Sequence, residues 1–455
     1  MTASHDVIID TVLKQRQFFE SGTTKSLAFQ LEHLMKLQRV IKQMEQEIAG
    51  ALFADLRKSS EEAYLTEIGI VLHELRLMIR NLPKYAKNKR VKSGIAQMPA
   101  VSFLSPEPYG VCLVMSPWNY PFQLSMVPLI AAVAAGNCVV LKPSADAKHT
   151  AEVMQKIIKQ VFAPEHVSMV TGGRAENTAL LEQRFDYIFF TGSVQVGKVV
   201  MAAAAKHLTP VTLELGGKSP VIVDETADIA LAARRIAFGK LLNAGQTCVA
   251  PDYLLVQETV KDNLMDALKA EIRSMVGDGS HLAHIINEKH ASRIKALLAK
   301  ESKVLGGETD GLFIAPALVE LDTLDSDLMK EEIFGPVLPV ISYRSLNEAI
   351  QIIKTFEKPL ALYLFSNSKD TQDKVLREIS FGGGCINDTV LHYSNPNLPF
   401  GGVGESGMGS YHGKRSFDTF THYRGILKKH PWPDISARYL PYSNWKTWLT
   451  RLILR

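Results

Sequence analysis

Hydrophobic positions change their period along this chain. From about Thr11 to Lys92 they recur every three to four residues, as at Leu31, Leu34, Met35 and Ile41, among Ala, Glu, Lys and Gln. That period predicts helices, with Pro83 ending the run. From Gly110 to Leu141 the chain is at its most apolar. Gly110–Ser116 and Asn137–Leu141 read as short strands buried on both faces. Between them a helix is predicted, capped by Ser125, with Pro128 in its first turn and Gly136 past its end. Pro117, Asn119, Pro121, Gln123 and Pro128 deny this stretch the 18 or so unbroken apolar residues of a membrane span. Strand, helix and strand in this order make a βαβ unit.

The alternation continues. Strands are predicted at Val167–Val170, Asp186–Thr191 and Val211–Leu215, and helices at Thr178–Gln183 and Val196–Lys206. After Pro220 come a strand to Asp224, a helix over Ile229–Leu242, a strand over Tyr253–Gln257, and helices near Thr259–Met275 and Glu288–Lys300. This is the pattern of a doubly wound α/β protein. Gly382–Asn387 and Pro399–Gly413 read as loops.

Composition narrows the function classes. A chain of 455 residues exceeds what one core serves, so two or three domains are expected. Hydrophobic residues at 46% and charged residues at 22% exclude a disordered or low-complexity protein. A net charge of +4, from 51 basic and 47 acidic side chains, gives no basis for nucleic-acid binding. Cys112, Cys138, Cys248 and Cys385 are widely spaced and form no C-x-x-C pair. Neither a disulfide scaffold nor a thiolate metal centre is expected. Met1–Asp10 carries no apolar core of a secretory signal, so a cytoplasmic location is expected.

The charge excess concentrates at one end. Arg438, Lys446, Arg451 and Arg455 have no acid among them and equal the whole excess. In the same tail Trp445, Trp448, Leu449 and Leu452 recur at helical spacing, and Ser443 or Asn444 is placed to cap the helix. Two readings stand: an interfacial helix with tryptophan anchors on a membrane surface, or a helix packed on a partner subunit or over a substrate funnel.

Three residues suggest chemistry. Cys248, among small residues in GQTC, is either an inert thiol or a nucleophile beside a cofactor. Glu214 ends an apolar strand and runs into two glycines. A buried carboxylate there is either paired with a lysine or a general base. Asn119, between two prolines after a buried strand, is either a turn residue or an oxyanion donor. Gly192, Ser193 and Gly197 lie between a strand and a helix, where phosphate binds, although G-x-G-x-x-G is absent. Lys142 and Ser144 close the neighbouring strand.

Together PWNYP, KPS, FTGS, LELGGKSP, GQTC, EEIFGP and PFGGVGESGMG, in this order along nearly the whole chain, resemble the aldehyde dehydrogenase superfamily. Tyr120, the segment from Ile386 to Lys414 and the short length are most similar to its class 3 branch of fatty and aromatic aldehyde dehydrogenases. The resemblance implies an α/β fold with a Rossmann-like cofactor domain (1–89 and 109–215), an α/β catalytic domain (216–410), a small bridging β oligomerisation element (90–108 and 411–435) and the basic tail (436–455). It implies Cys248 as nucleophile, Glu214 as general base, and Asn119 with the Cys248 backbone N–H as oxyanion hole. Cofactor contacts are implied for Lys142, Ser144, Gly192, Ser193, Gly197, Trp118, Leu215, Gly216, Glu332 and Phe334, and substrate contacts for Tyr120 and Leu124. No metal is implied.

The implied reaction is NAD- or NADP-dependent oxidation of medium- to long-chain aliphatic or aromatic aldehydes to acids by a homodimer. Many relatives carry a glutamate after KPS that opposes a 2′-phosphate. Here Ala145 follows and Asp146 comes next, so use of both NAD and NADP is expected. The alternatives are an acylating enzyme that passes its thioester to coenzyme A, which Glu214 argues against, and a silent member of the fold.

Overall fold

The structure is a computed structural model that describes residues 5–454; residues 1–4 and Arg455, one of the tail bases, lie outside the described residues. A helical layer comes first: His5–Glu20, Leu27–Gln43, Glu45–Leu56 and Gly69–Tyr85, with a π-helical turn at Tyr64–Ile68. Its apolar stripe, including Leu34, Leu37, Ile41, Leu52, Val71, Leu75 and Leu82, packs into one core with the helix Gln123–Ala134. The layer starts before Thr11, and Pro83 does not end its last helix. That helix reaches Tyr85, because a proline in the last turn removes a single hydrogen bond and leaves Ala86 N–H to donate to Leu82 O at 3.0 Å.

The helix Gln123–Ala134 is buried all round, as its predominantly apolar composition requires. Ser125 lies inside it and is not its cap. The Ser125 hydroxyl donates to Pro121 O at 2.6 Å and meets the Ser116 hydroxyl at 2.6 Å. The capping acceptor comes from far away: Glu67 Oε2 accepts from the N–H groups of Phe122 (2.8 Å) and Gln123 (3.1 Å). Pro128 falls in the second turn.

The first sheet has six strands, in the order Gly407–Met408, Val211–Glu214, Tyr187–Thr191, Val111–Met115, Cys138–Lys142, Val167–Met169. All neighbours are parallel except the first pair, where Gly407 faces Glu214. The strand order reverses between Val111–Met115 and Tyr187–Thr191, so the crevice for a ligand opens at the carboxyl ends of these strands. Residues 407–408, grouped by sequence with the catalytic domain, are thus paired with the first sheet. Antiparallel pairing to the edge strand Val211–Glu214 satisfies backbone groups that would otherwise be bare.

The second sheet has seven strands, in the order Val304–Gly306, Ala317–Glu320, Val337–Tyr343, Tyr253–Gln257, Pro220–Val223, Ala361–Phe365, Gly383–Ile386. All are parallel except Val304–Gly306. Gly383–Ile386, expected as loop, is therefore an edge strand. Glycine hid it from the pattern yet allows it, since a Cβ on Gly384 would lie 2.0 Å from Leu362 O. A third, antiparallel sheet joins Lys89–Val91, Ala100–Pro108 and Thr421–Lys429.

The tail forms the helix Asn444–Ile453. Leu449 and Ile453 face Ala96, Lys429 and Ile435, whereas Trp445, Trp448 and Leu452 are exposed. Among the described residues no helix is long and apolar enough to cross a membrane.

Candidate active site

Cys248 sits where two clefts meet. The helix Ile229–Leu241 ends in a turn in which Asn243 (φ 52°), Ala244 (φ 51°) and Gly245 (φ 73°) all take left-handed backbone conformations. Glycine is required at 245, since a Cβ there would lie 2.2 Å from Gly335 O. Glu62 Oε1 accepts from Asn243 N–H at 2.6 Å and fixes the turn to the helical layer. The chain then delivers Cys248 half-buried into both clefts.

One cleft, of about 850 Å³, is walled by Leu65, Ile70, Phe238, Leu242, Val249, Tyr393 and Phe400, with Tyr120 and Leu124 among them. Among the described residues no charged side chain lines it. The Tyr120 hydroxyl is occupied by Thr247 Oγ1 at 2.6 Å, so the ring, not the phenol, faces the space.

The second cleft, of about 790 Å³, brings together Trp118, Asn119, Gly192, Ser193, Glu214, Leu215, Gly216, Glu332 and Phe334 with Cys248 and Leu124. Asn119 is 2% exposed; its Nδ2 donates to Gln246 O at 2.9 Å, which leaves its second N–H for another acceptor. Glu214 is also 2% exposed, and neither carboxyl oxygen has a hydrogen-bond partner among the described residues. Burial holds its pKa well above the usual carboxylate range. Glu332 is pushed up to about 8, by burial first and by Asp252 second, against an N–H bond from Gly217. Burial, then the carboxyls of Glu332 and Glu214, raise the Cys248 thiol far above a free thiol.

The second cleft suits a dinucleotide. Ser193 caps the helix Val194–Ala205, its Oγ accepting from Val196 N–H at 3.5 Å, so a helix N-terminus with its partial positive charge opens there. Trp118 and Phe334 meet edge to face, with centroids 5.4 Å apart, and form an apolar wall beside the half-buried Glu332. Gly216 is packed so closely that a Cβ would lie 2.0 Å from Glu332 Oε2.

Three expected contacts stand apart from this lining. Lys142 is 3% exposed at the end of its strand; its Nζ donates to Pro143 O (2.9 Å) and Gly172 O (2.8 Å), and burial lowers its pKa to about 8. Ser144 Oγ pairs with Asp146, whose other oxygen accepts from Asn287 Nδ2 at 3.1 Å. Gly197 lies within its helix behind the cleft, where a Cβ would strike Leu215 Cδ2 at 2.6 Å.

Other residues complete the site without a sequence signal. His290 lies 5.0 Å from the Trp118 ring, and Arg293 donates to the backbone carbonyls of Glu332 and Ile333. Both belong to the charged face of the helix Glu288–Leu298, which reads as a solvated face. Lys218 in GGKSP donates to Asp252 Oδ2 (2.5 Å), Leu328 O (2.8 Å) and Glu331 O (3.1 Å), while Asp252 accepts from Ile333 N–H. This buried pair holds the loop that carries Glu332 and Phe334.

The family model described as "Aldehyde dehydrogenase family" matches residues 9–426. A Staphylococcus aureus protein named 4,4'-diaponeurosporen-aldehyde dehydrogenase is 46% identical over 446 residues, 96% of this chain and 97% of that protein. A Rattus norvegicus protein named aldehyde dehydrogenase, dimeric NADP-preferring, is 47% identical over 429 residues, 93% of this chain and 94% of that one. A solved structure described as the substrate-bound state of Staphylococcus aureus AldH superposes with a TM-score of 0.97 at 45% identity, covering 98% of this chain and 99% of its own.

Proposed function

This chain belongs to the aldehyde dehydrogenase family and oxidises aldehydes with NAD or NADP, and from that premise we propose that Cys248 is its nucleophile, Glu214 its general base and Asn119 its oxyanion donor. The observation that carries this reading is the position of Cys248 at the junction of an apolar cleft with a cleft fit for a dinucleotide, beside an unpartnered buried carboxyl.

Each residue has a definite task. The thiol of Cys248 gives its proton to Glu214, which passes it to solvent, and the sulfur bonds the aldehyde carbon as the carbonyl pair moves to oxygen. The second N–H of Asn119 and the backbone N–H of Cys248 hold that oxygen. NAD or NADP held in the second cleft by Trp118, Gly192, Ser193, Leu215, Gly216, Glu332 and Phe334 would supply the hydride acceptor for the oxidation. Glu214 then takes a proton from water as its oxygen attacks the thioester carbon. The C–S bond breaks, and the free acid and the Cys248 thiolate result. Trp118, Gly192, Ser193, Leu215, Gly216, Glu332 and Phe334 are proposed to hold the cofactor, with Lys142, Ser144 and Gly197 supporting its far end.

The uncharged apolar cleft supports aliphatic or aromatic aldehydes over substrates with a second carboxylate. Use of both cofactors is supported by Ala145 and by the engagement of the Asp146 carboxylate with Ser144 and Asn287. A homodimer is proposed, in keeping with the rat relative's printed name. A cytoplasmic enzyme is proposed, and the exposed tryptophans of its tail support contact with membrane surfaces.

The test is a product assay across aldehydes of graded length. Free acid formed without coenzyme A is expected, with Cys248→Ala inactive and Asn119→Ala slowed roughly 100- to 1,000-fold. Full activity of Cys248→Ala would refute the assignment. A preference for either cofactor above about 100-fold, or roughly 2.7 kcal/mol, would refute dual use.

A further inference from the structure

The turn that carries Asn119 is gripped from behind by a buried ion pair that touches neither cleft. Lys58, in the loop after the helix Glu45–Leu56, is 0% exposed. Its Nζ lies 2.5 Å from Glu67 Oε1, 2.9 Å from the backbone oxygen of Asn119 and 4.0 Å from the centroid of the Tyr120 ring. An ammonium has three N–H donors, and these three partners account for them. Glu67, in the π-helical turn, uses its other oxygen to accept from Phe122 and Gln123 N–H. The pair thus holds a carbonyl at residue 119 and two N–H groups at 122 and 123. Asn243 Nδ2 reaches the same Asn119 oxygen at 2.7 Å and Gln246 O at 3.2 Å, which ties the turn to the segment leading into Cys248.

A buried ion pair is a poor device for stability alone. Its desolvation cost matches or exceeds its attraction, and apolar replacement is often neutral or better. What it supplies is directional: fixed charges on both sides of one short turn prevent rotation of the Asn119 peptide. Oxyanion stabilisation needs a donor placed to a few tenths of an ångström before reaction.

We propose that Lys58 and Glu67 are positioning residues for the oxidation of aldehydes, acting through Asn119 by locking the turn that aims its amide at the oxyanion. The inference rests on the reading of Asn119 as oxyanion donor.

The test replaces both charges together, Lys58→Met with Glu67→Gln, so that no lone charge stays buried, and does so in the native and Asn119→Ala backgrounds. In the native background kcat should fall about ten-fold or more, with KM for the aldehyde within about two-fold. In Asn119→Ala the further loss should stay below about two-fold, since the effect passes through the missing amide. Alkylation of Cys248 by iodoacetamide, a displacement that creates no oxyanion, should keep its rate within about two-fold. Glu67→Gln alone, which keeps an acceptor for Phe122 and Gln123, should give the same pattern more weakly and serves where the double variant does not fold. Equal losses in both backgrounds, an unchanged kcat, or failure of both variants to fold would overturn the proposal. Full activity in Asn119→Ala would instead overturn the reading of Asn119 itself.

Discussion

Two carboxyls face one thiol across the second cleft, and all three are held toward their neutral forms. Burial raises Glu214 and Cys248, and the carboxyl charges raise Cys248 further. Both groups act by losing a proton, so each upward shift moves the active form to higher pH. The expected kcat/KM therefore climbs as pH rises from about 6 to about 9. A flat pH–rate profile over that range would show that neither deprotonation limits the free enzyme. Glu214→Gln should cost about 100-fold or more in kcat and remove one ionisation from the kcat profile; an unchanged profile would assign the base elsewhere. At this scale much was legible. Cys248, Glu214 and Asn119 each break a local pattern: a thiol among small residues, an acid ending an apolar strand, an amide between prolines. Lys58 and Glu67 break none. Each sits in a stretch rich in charge, Lys58 in a loop between helices and Glu67 in the π-helical turn, and their partners lie 61 residues beyond Lys58 and 55 to 56 beyond Glu67.

Among the elements, Ala317–Glu320, Val337–Tyr343 and Ala361–Phe365 went unread and Gly383–Ile386 was read as loop, but the parallel strands from Val111 to Gln257 were read nearly to the residue, because burial on both faces writes itself as a run of apolar residues. Helix ends were not. Ser125 looked like a cap, yet the cap of its helix is Glu67 in another helix, a partner that no local window contains. The tail helix shows the same limit from the other side. Its period was legible, but only packing divides the stripe, with Leu449 and Ile453 turned onto the body and Trp445, Trp448 and Leu452 left outward. Exposed tryptophans beside Lys446 and Arg451 suit an anionic bilayer surface. The full chain should co-sediment with vesicles containing anionic lipid, and a chain ending at Arg438 should stay in the supernatant. Equal sedimentation of the two would remove the membrane role.

Across the whole molecule, distant segments are joined by buried polar contacts. Glu74, in the helix Gly69–Tyr85 and 4% exposed, accepts from Gly413 N–H, 339 residues away. Burial pushes its pKa up to about 7. The raised value means that the folded chain keeps the proton longer than the unfolded one. Its stabilising contribution is complete below the unfolded value near 4.5 and is lost as pH rises through about 7. Glu74→Gln should therefore leave stability unchanged near pH 4 and raise it by up to about 3 kcal/mol near pH 8.5. Urea midpoints at the two pH values check this; a variant weaker at both would show that the acid itself is needed.

By itself the sequence determined the α/β class and the family motifs, located the strands from Val111 to Gln257 and marked three candidate chemical groups. Those features are local: they depend on periods of two and of three to four residues and on side-chain types within a few positions. Only the tertiary structure decided that Cys248 joins two clefts, that Gly407–Met408 completes the first sheet, and that Lys58 and Glu67 hold the turn of Asn119. Such facts depend on contacts between segments tens to hundreds of residues apart. The energy of those contacts comes from burial in a shared core, which no local window of the chain expresses.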